Sequence, residues 1–285
     1  MAASSAYSSR TFSPARPGTA AARLRRWFVP VASALAFCAH AHTPYLLPTT
    51  FDPNPGETIG VEASFAEKFF IPEVFFGATP FAITQPDGTS LPFGDVRQFK
   101  LRTIAEQKLP AARGTYRLST GPRLGAIFRS WEHNGKVQVA RDPKQPMPEG
   151  ARLVSHYQSL SVSEAYVTVG APTREATKPS CRGLEIVPAT HPSDVVSGEK
   201  FDFTVTFDGM PLADQKVDVY RSAMDLTNEH SADSVKTDAQ GNVSYTPARP
   251  GIYLALIRHR AKAPAGAAAP DYGYNYTLTF RVQAP

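Results

Sequence analysis

Lys200-Phe201-Asp202-Phe203-Thr204-Val205-Thr206-Phe207 is the stretch that decides the fold of this chain. Apolar and polar residues alternate strictly, so the apolar side chains share one face of an extended segment. A period of two with aromatic and β-branched residues is typical of a strand that buries one face. We therefore predict a β-strand here whose apolar face packs against a second sheet.

Further short strand patterns surround this stretch on the C-terminal side. They are Val217–Tyr220, Val243–Tyr245, Ile252–His259 and Tyr274–Val282, separated by the turn signals Asp208-Gly209, Gln240-Gly241 and Pro250-Gly251. Several short strands at close spacing, interrupted by turns, are typical of an immunoglobulin-like sandwich of roughly 100 residues. We predict such a domain over residues 184–285.

Residues 42–170 have the same character, although their pattern is less regular. Thr58–Phe65 alternates, Pro86-Asp87-Gly88 is a turn signal, and Ala165–Gly170 predicts another strand. We predict an N-terminal β-sandwich over 42–170 and a polar, proline-flanked linker over 171–183. The expected fold class is all-β, with two β-sandwich (immunoglobulin-like) domains after a cleavable signal peptide.

Residues 1–41 have the three parts of a signal peptide. Five arginines and no acidic residue precede an apolar stretch over Trp27–Ala39, and Ala39-His40-Ala41 fits a small-x-small cleavage site. We expect export to the periplasm and cleavage after Ala41. Arg25-Arg26-Trp27-Phe28 also fits a twin-arginine start, but Sec export is favoured.

The signal peptide changes how the composition is interpreted. The formal net charge of +5 comes from its five arginines, because the rest of the chain has 25 basic and 25 acidic residues. The charge balance therefore gives no argument for a nucleic-acid partner.

Cys38 lies in the signal peptide, which leaves Cys181 as the one cysteine of the predicted mature chain. No later apolar stretch approaches the ~20 residues that span a bilayer, so we expect a mature chain that does not span the membrane.

No stretch of the chain carries a recognised catalytic pattern. The sequence has no nucleophile elbow, Walker A loop, dinucleotide fingerprint, H-E-x-x-H or C-x-x-C. We therefore predict a protein that is not an enzyme and has no organic cofactor.

Histidine is the residue type that could carry chemistry. If cleavage falls after Ala41, His42 offers an α-amine and a ring nitrogen on one residue, which can chelate a divalent transition metal such as Ni, Co or Cu. We predict His259, at the end of a strand and before a small-residue loop, as the second ligand. His133, His191 and His230 lie in polar stretches and are expected to be solvated.

Two parts of the chain carry a family resemblance. The first is the opening His42-Thr43-Pro44-Tyr45-Leu46-Leu47-Pro48. The second is a C-terminal set that comprises Gly209-Met210-Pro211-Leu212-Ala213, Thr237-Asp238-Ala239-Gln240-Gly241, Pro250-Gly251-Ile252-Tyr253 and a strand ending in His259. These stretches resemble a bacterial periplasmic family linked to nickel and cobalt uptake (NikM-like). The resemblance implies a periplasmic binding protein that is accessory to a membrane transporter component, with His42 and His259 as the matching histidines.

Two other functions are compatible with these residues. The chain could be a metal-free envelope interaction module that presents its loops to a protein or a polysaccharide. It could also be a copper-binding protein with an N-terminal histidine, which needs a second histidine close to His42 in space.

Overall fold

The computed structural model describes residues 42–77, 79–140, 142–222 and 232–285. The predicted signal peptide (1–41) and His230 lie outside these ranges. The described residues form nineteen strands and one short 3₁₀ helix, Glu175–Thr177, so the all-β prediction is confirmed. The strands are β1 Thr43–Pro48, β2 Thr58–Ala66, β3 Val74–Phe75, β4 Ala82–Thr84, β5 Ser90–Pro92, β6 Asp95–Gln98, β7 Thr103–Lys108, β8 Gly114–Ser119, β9 Arg123–His133, β10 Lys136–Val139, β11 Arg152–Val169, β12 Leu184–Pro188, β13 Phe201–Phe207, β14 Met210–Pro211, β15 Lys216–Arg221, β16 Ala232–Lys236, β17 Asn242–Tyr245, β18 Gly251–Lys262 and β19 Asp271–Val282.

The strands form three sheets. A large sheet has the order β16-β15-β18-β19-β11-β8-β4-β5, and the hairpin β9-β10 also joins it along β11. A five-stranded sheet has the order β1-β2-β7-β6, with β3 on β2. A four-stranded sheet has the order β12-β13-β14, with β17 on the other edge of β13. Each small sheet covers a different part of the large one.

The C-terminal sandwich buries the face that the alternating stretch predicts. Phe201, Phe203 and Val205 of β13 are buried in one core cluster. The ring of Phe201 lies 4.8 Å from that of Phe280 on β19, across the two sheets. The immunoglobulin-like sandwich predicted from this stretch is confirmed.

A second core lies between the five-stranded sheet and β4, β8 and β11. Ile59 and Val61 of β2 pack there with Tyr116 of β8 and with Val167 of β11. Ser64 of β2 and Thr115 of β8 are fully buried as well, so these two strands are covered along most of their length.

β11 takes part in both sandwiches. Its C-terminal half pairs antiparallel with β8, and β19 pairs parallel with its other edge. Val167 belongs to the N-terminal core, whereas Tyr166, pointing the opposite way, belongs to the C-terminal core. The two predicted domains therefore share one sheet, and the boundary at residue 170 stays a prediction. The segment 171–183 packs on β8, where Thr173 Oγ1 accepts the N–H of Thr115 at 3.0 Å.

A third apolar cluster covers the outer face of β18. Leu254 and Leu256 pack there against Tyr45 of β1 and against Phe69 and Phe70. This contact sets where β1 begins relative to β18, and hence the position of His42. Within the described ranges, no helix has the length and apolar character needed to cross a membrane.

We expect Phe201→Ala to lower the free energy of unfolding by about 3–5 kcal/mol, because it removes a fully buried ring and leaves a cavity. Chemical denaturation followed by tryptophan fluorescence measures this change. Val137→Ala, at a site whose residue is 60% exposed on β10, is the matched control and should cost less than about 0.5 kcal/mol. Equal losses for the two variants would contradict the placement of Phe201 in the core.

Candidate functional site

His42 lies immediately before β1 and faces an acidic residue. Its Nδ1 is 3.0 Å from Oε2 of Glu73, and 42% of the His42 side chain is exposed. The other carboxylate oxygen of Glu73 accepts the backbone N–H of Glu67 at 2.9 Å. The backbone N–H of Glu73 in turn donates to the Phe65 carbonyl. Glu73 is thus held in place beside an accessible imidazole.

The chemistry of this pair suits a transition-metal ion. An imidazole nitrogen and a carboxylate oxygen are both ligands of divalent first-row metals. The described part of the chain contains no group of three His, Cys, Asp or Glu side chains that could hold a metal. Side chains alone therefore supply two donors here, and a third has to come from another group.

His259 occupies a different environment. It lies on β18, which continues three residues further to Lys262, and its ring centroid is 4.9 Å from that of Phe207. Its Nδ1 is 3.3 Å from Gln215 Oε1. Burial lowers the pKa of His259 below its ordinary value, so the neutral ring is favoured.

The structure does not bring His42 and His259 together. Arg258 Nη2 donates to Thr43 Oγ1 at 2.9 Å, so the start of β1 lies over the face of β18 that carries Arg258. Successive residues of a strand point to opposite faces, which puts His259 on the other side of the sheet. Whether either histidine binds a metal stays a prediction.

Glu73 is the neighbour of His42 that the sequence analysis missed. It is separated from His42 in sequence by all of β1 and β2 and by the intervening turns, and no spacing rule links the two. Strand pairing is the signal that could have found it, because Thr43 pairs with Ala66 and Phe65 pairs with Val74. These two ladders bring Glu73 opposite Ala66, whose partner is Thr43, so Glu73 and the residue before Thr43 lie at the same end of β2.

His191 differs from its expectation. The polar sequence around it predicts a solvated ring, but only 3% of the residue is exposed. Its Nε2 lies 2.9 Å from Thr115 Oγ1 and 3.1 Å from the Thr173 carbonyl, and its Nδ1 lies 2.7 Å from Ser193 Oγ. The expectation was wrong because folding brings Thr115 and Thr173, which are distant in sequence, against the His191 ring, where they and Ser193 replace water as hydrogen-bond partners.

A cleft of about 390 Å³ opens where β11, β12 and β19 meet. Its buried acid, Glu164, accepts the Tyr276 hydroxyl at 2.6 Å, and Arg117 Nε lies 4.0 Å from the same carboxylate. A second acid, Glu185, accepts the backbone N–H groups of Ser180 and Cys181. Burial, with the neighbouring Glu164 carboxylate, raises the pKa of Tyr276 well above its ordinary value, so this hydroxyl stays a donor. Each acid already accepts hydrogen bonds from protein donors. The two carboxylates of the cleft are therefore paired within the protein.

A family model matches residues 39–261, more than half of the chain, and its description is a domain of unknown function, DUF4198. This chain belongs to the DUF4198 family. That description names no metal, so the nickel and cobalt link of the resemblance stays a prediction. No curated protein matches the DUF4198 chain.

Two solved structures are among the matches to the DUF4198 chain. The adhesin InvE of Yersinia pseudotuberculosis is 17% identical with a TM-score of 0.21, and the match covers 83% of this chain and 58% of that one. The D0-D1 domain of intimin is 12% identical with a TM-score of 0.21, and the match covers 82% of this chain and 96% of that one. The DUF4198 chain thus spans only part of the InvE length.

We expect His259 to titrate below the ordinary histidine pKa of about 6.5. The unfolded chain then binds a proton more readily than the folded one, so the free energy of unfolding falls as the pH drops below about 6.5. NMR titration of the ring protons, assigned with His259→Gln, measures the midpoint. His191, whose pKa burial also lowers, contributes in the same direction, so H259Q removes only part of the pH dependence of stability. A midpoint at or above 6.5 would contradict the packing described for this ring.

We expect Tyr276→Phe to lower the free energy of unfolding by about 1.5–3 kcal/mol, because the buried Glu164 carboxylate loses its hydroxyl donor. Tyr272→Phe removes the same group from a half-buried ring on the same strand and should change stability by less than about 0.5 kcal/mol. Urea denaturation of both variants at pH 7 tests the difference. A neutral Tyr276→Phe would mean that Glu164 does not depend on this bond.

Proposed function

We propose that this DUF4198 protein is exported to the periplasm and binds a divalent transition-metal ion at its processed N-terminus, as a non-enzymatic accessory of nickel or cobalt uptake. The observation that carries the proposal is the 3.0 Å separation of His42 Nδ1 and Glu73 Oε2, at the residue that directly follows the predicted cleavage site. The resemblance of the mature start to a nickel- and cobalt-linked family supports it as well.

Processing after Ala41 would complete a donor set at this position. The new α-amine and the Nδ1 of His42 belong to one residue and can close a chelate ring on the metal. The Glu73 carboxylate, which the Glu67 N–H orients, supplies an oxygen from the neighbouring segment. Two nitrogens and one oxygen suit Ni²⁺, Co²⁺ and Cu²⁺. The ion is therefore the cargo of the protein in this proposal.

Such a site suits transfer rather than permanent storage. Three protein donors leave coordination positions for water or for ligands from a transporter component. The His42 and Glu73 side chains are 42% and 32% exposed, so a partner can reach the ion. His259, on the other side of the sheet, is not a ligand of this ion in the proposal.

The copper alternative requires a second imidazole beside His42. The side chain found there is the carboxylate of Glu73. A carboxylate oxygen is a harder metal ligand than an imidazole nitrogen. It therefore favours nickel or cobalt as the bound ion over copper in a histidine brace.

Calorimetry with Ni²⁺, Co²⁺ and Cu²⁺ on a protein that begins at His42 tests the proposal. We expect one ion per chain. A protein that begins at Ala41 should bind at least about tenfold more weakly, or about 1.4 kcal/mol, because the amine is no longer on the histidine. Glu73→Gln should also weaken binding, since it removes the anionic donor while keeping the shape. His133→Ala, in a hairpin away from this site, is the control and should leave affinity unchanged.

The proposal fails if the His42-start protein binds none of the three ions at micromolar concentration. It also fails if the Ala41-start protein binds equally well. Intact mass of the exported protein measures the cleavage position, and a first residue other than His42 would remove the chelate.

A further inference from the structure

Within the described ranges, part of the large sheet beyond the start of β1 is left uncovered, since Arg258 and Arg260 of β18 are exposed there. On this face lie Arg123 of β9, Tyr157 and Ser159 of β11, Asn275 of β19, and Arg258 and Arg260 of β18. We call these six residues the arginine face. His42 and Glu73 are not among them.

The strand register places the arginines across the width of this face. Ser161 of β11 pairs with Arg123 on one side and with Asn275 on the other, and Asn275 pairs with Arg258. Paired residues point to the same side of a sheet. Arg123 and Arg258 are therefore three interstrand steps apart, which is about 14 Å at ~4.8 Å per step. Arg260 follows two positions along β18, on the same side.

Neutral groups hold the side chains of this face in place. The Arg260 guanidinium lies 3.3 Å from the centre of the Tyr157 ring, which also stacks on Phe128 at 5.1 Å. Asn275 Nδ2 donates to Ser159 Oγ at 3.1 Å. Arg258 donates to the hydroxyl of Thr43. The face is thus an ordered, polar surface.

The three arginines form no ion pair with any carboxylate in the described ranges, and the nearby Lys262 and Asp271 pair with each other. Arg123 shows the consequence most clearly. Its guanidinium lies over the rings of Phe65 and Phe76, at 5.1 and 5.7 Å. Burial lowers its pKa, and no neighbouring carboxylate offsets this effect. A half-buried cation without a counter-ion gains from binding an anion.

We propose that the arginine face binds an anionic polysaccharide. A small anion can contact only part of a surface about 14 Å wide, whereas a polymer with repeated carboxylates can reach all three guanidinium groups. Ser159 and Asn275 lie between them and can hydrogen-bond to sugar hydroxyls. Charge complementarity makes the main contribution to the free energy of binding, so we expect the affinity to fall as salt is added.

Two other polyanions fit this face less well. Single-stranded nucleic acid is bound largely by stacking of bases on exposed aromatic rings, but Arg260 and Phe128 already occupy the Tyr157 ring. A protein partner usually needs an apolar or aromatic anchor at the centre of its interface. The central residues here are Ser159 and Asn275.

Fluorescence anisotropy with labelled polygalacturonate as the probe, at low and high salt, tests this proposal on the chain that begins at His42. The double variant Arg258→Gln/Arg260→Gln should bind at least about tenfold more weakly, because it removes two of the three charges. Arg123→Gln should also weaken binding. Lys136→Gln removes one exposed charge from β10 and should change the affinity by less than about twofold. Circular dichroism and melting temperature check that each variant folds.

Neutral dextran should not compete, and polyglutamate and a DNA oligonucleotide should compete more weakly than unlabelled polygalacturonate. The proposal is overturned if polygalacturonate does not bind at low salt, or if Lys136→Gln and the double variant lose affinity equally. Tighter binding of polyglutamate or DNA would assign the face to another class of partner. None of these outcomes depends on metal binding at His42.

Discussion

The pairing of β11 on both edges is the constraint on which the rest of the structure depends. β8 lies on one edge and β19 on the other, and the parallel pairing with β19 joins segments more than 100 residues apart in sequence. The C-terminal half of β11 is also covered on both faces, since Val167 enters one core and Tyr166 the other. A strand that is buried on both faces has to satisfy its polar side chains within the protein. Glu164 does so through the Tyr276 hydroxyl.

The two proposed surfaces follow from this shared sheet. β18 pairs with β19 in this sheet. Leu254 and Leu256 of β18 then hold β1 on the outer face of β18. β1 covers the sheet only as far as Thr43, where Arg258 meets its hydroxyl. His42 therefore emerges beside Glu73 at the edge of the five-stranded sheet. In the described part of the chain, the adjoining part of the large sheet stays uncovered, with Arg258 and Arg260 exposed and Arg123 half-buried.

The sequence predicts His42 and His259 as partners, whereas the folded chain places the carboxylate of Glu73 beside His42. The sequence pattern singles out both histidines, because His42 follows the predicted cleavage site and His259 lies near the end of a predicted strand; in the structure that strand continues to Lys262. The pairing itself depends on which face of β18 packs on β1. A one-residue change of register would exchange Arg258 and His259 between the two faces of the sheet. No local pattern encodes that choice, and the pairing of β1 and of β3 with β2 is what brings Glu73 close to His42.

The sequence by itself determined the all-β class and the inward face of β13. Alternation at Phe201, Phe203 and Val205 is a local property, and burying that face dominates the energetics of the strand. Tertiary structure alone decided that both sandwiches share β11, that His191 is buried, and that three arginines line one open face. These features depend on strand pairing between segments that are distant in sequence. They also depend on hydrogen-bond partners that come together only after folding. The free energy that stabilises these features comes from contacts between segments that are distant in sequence.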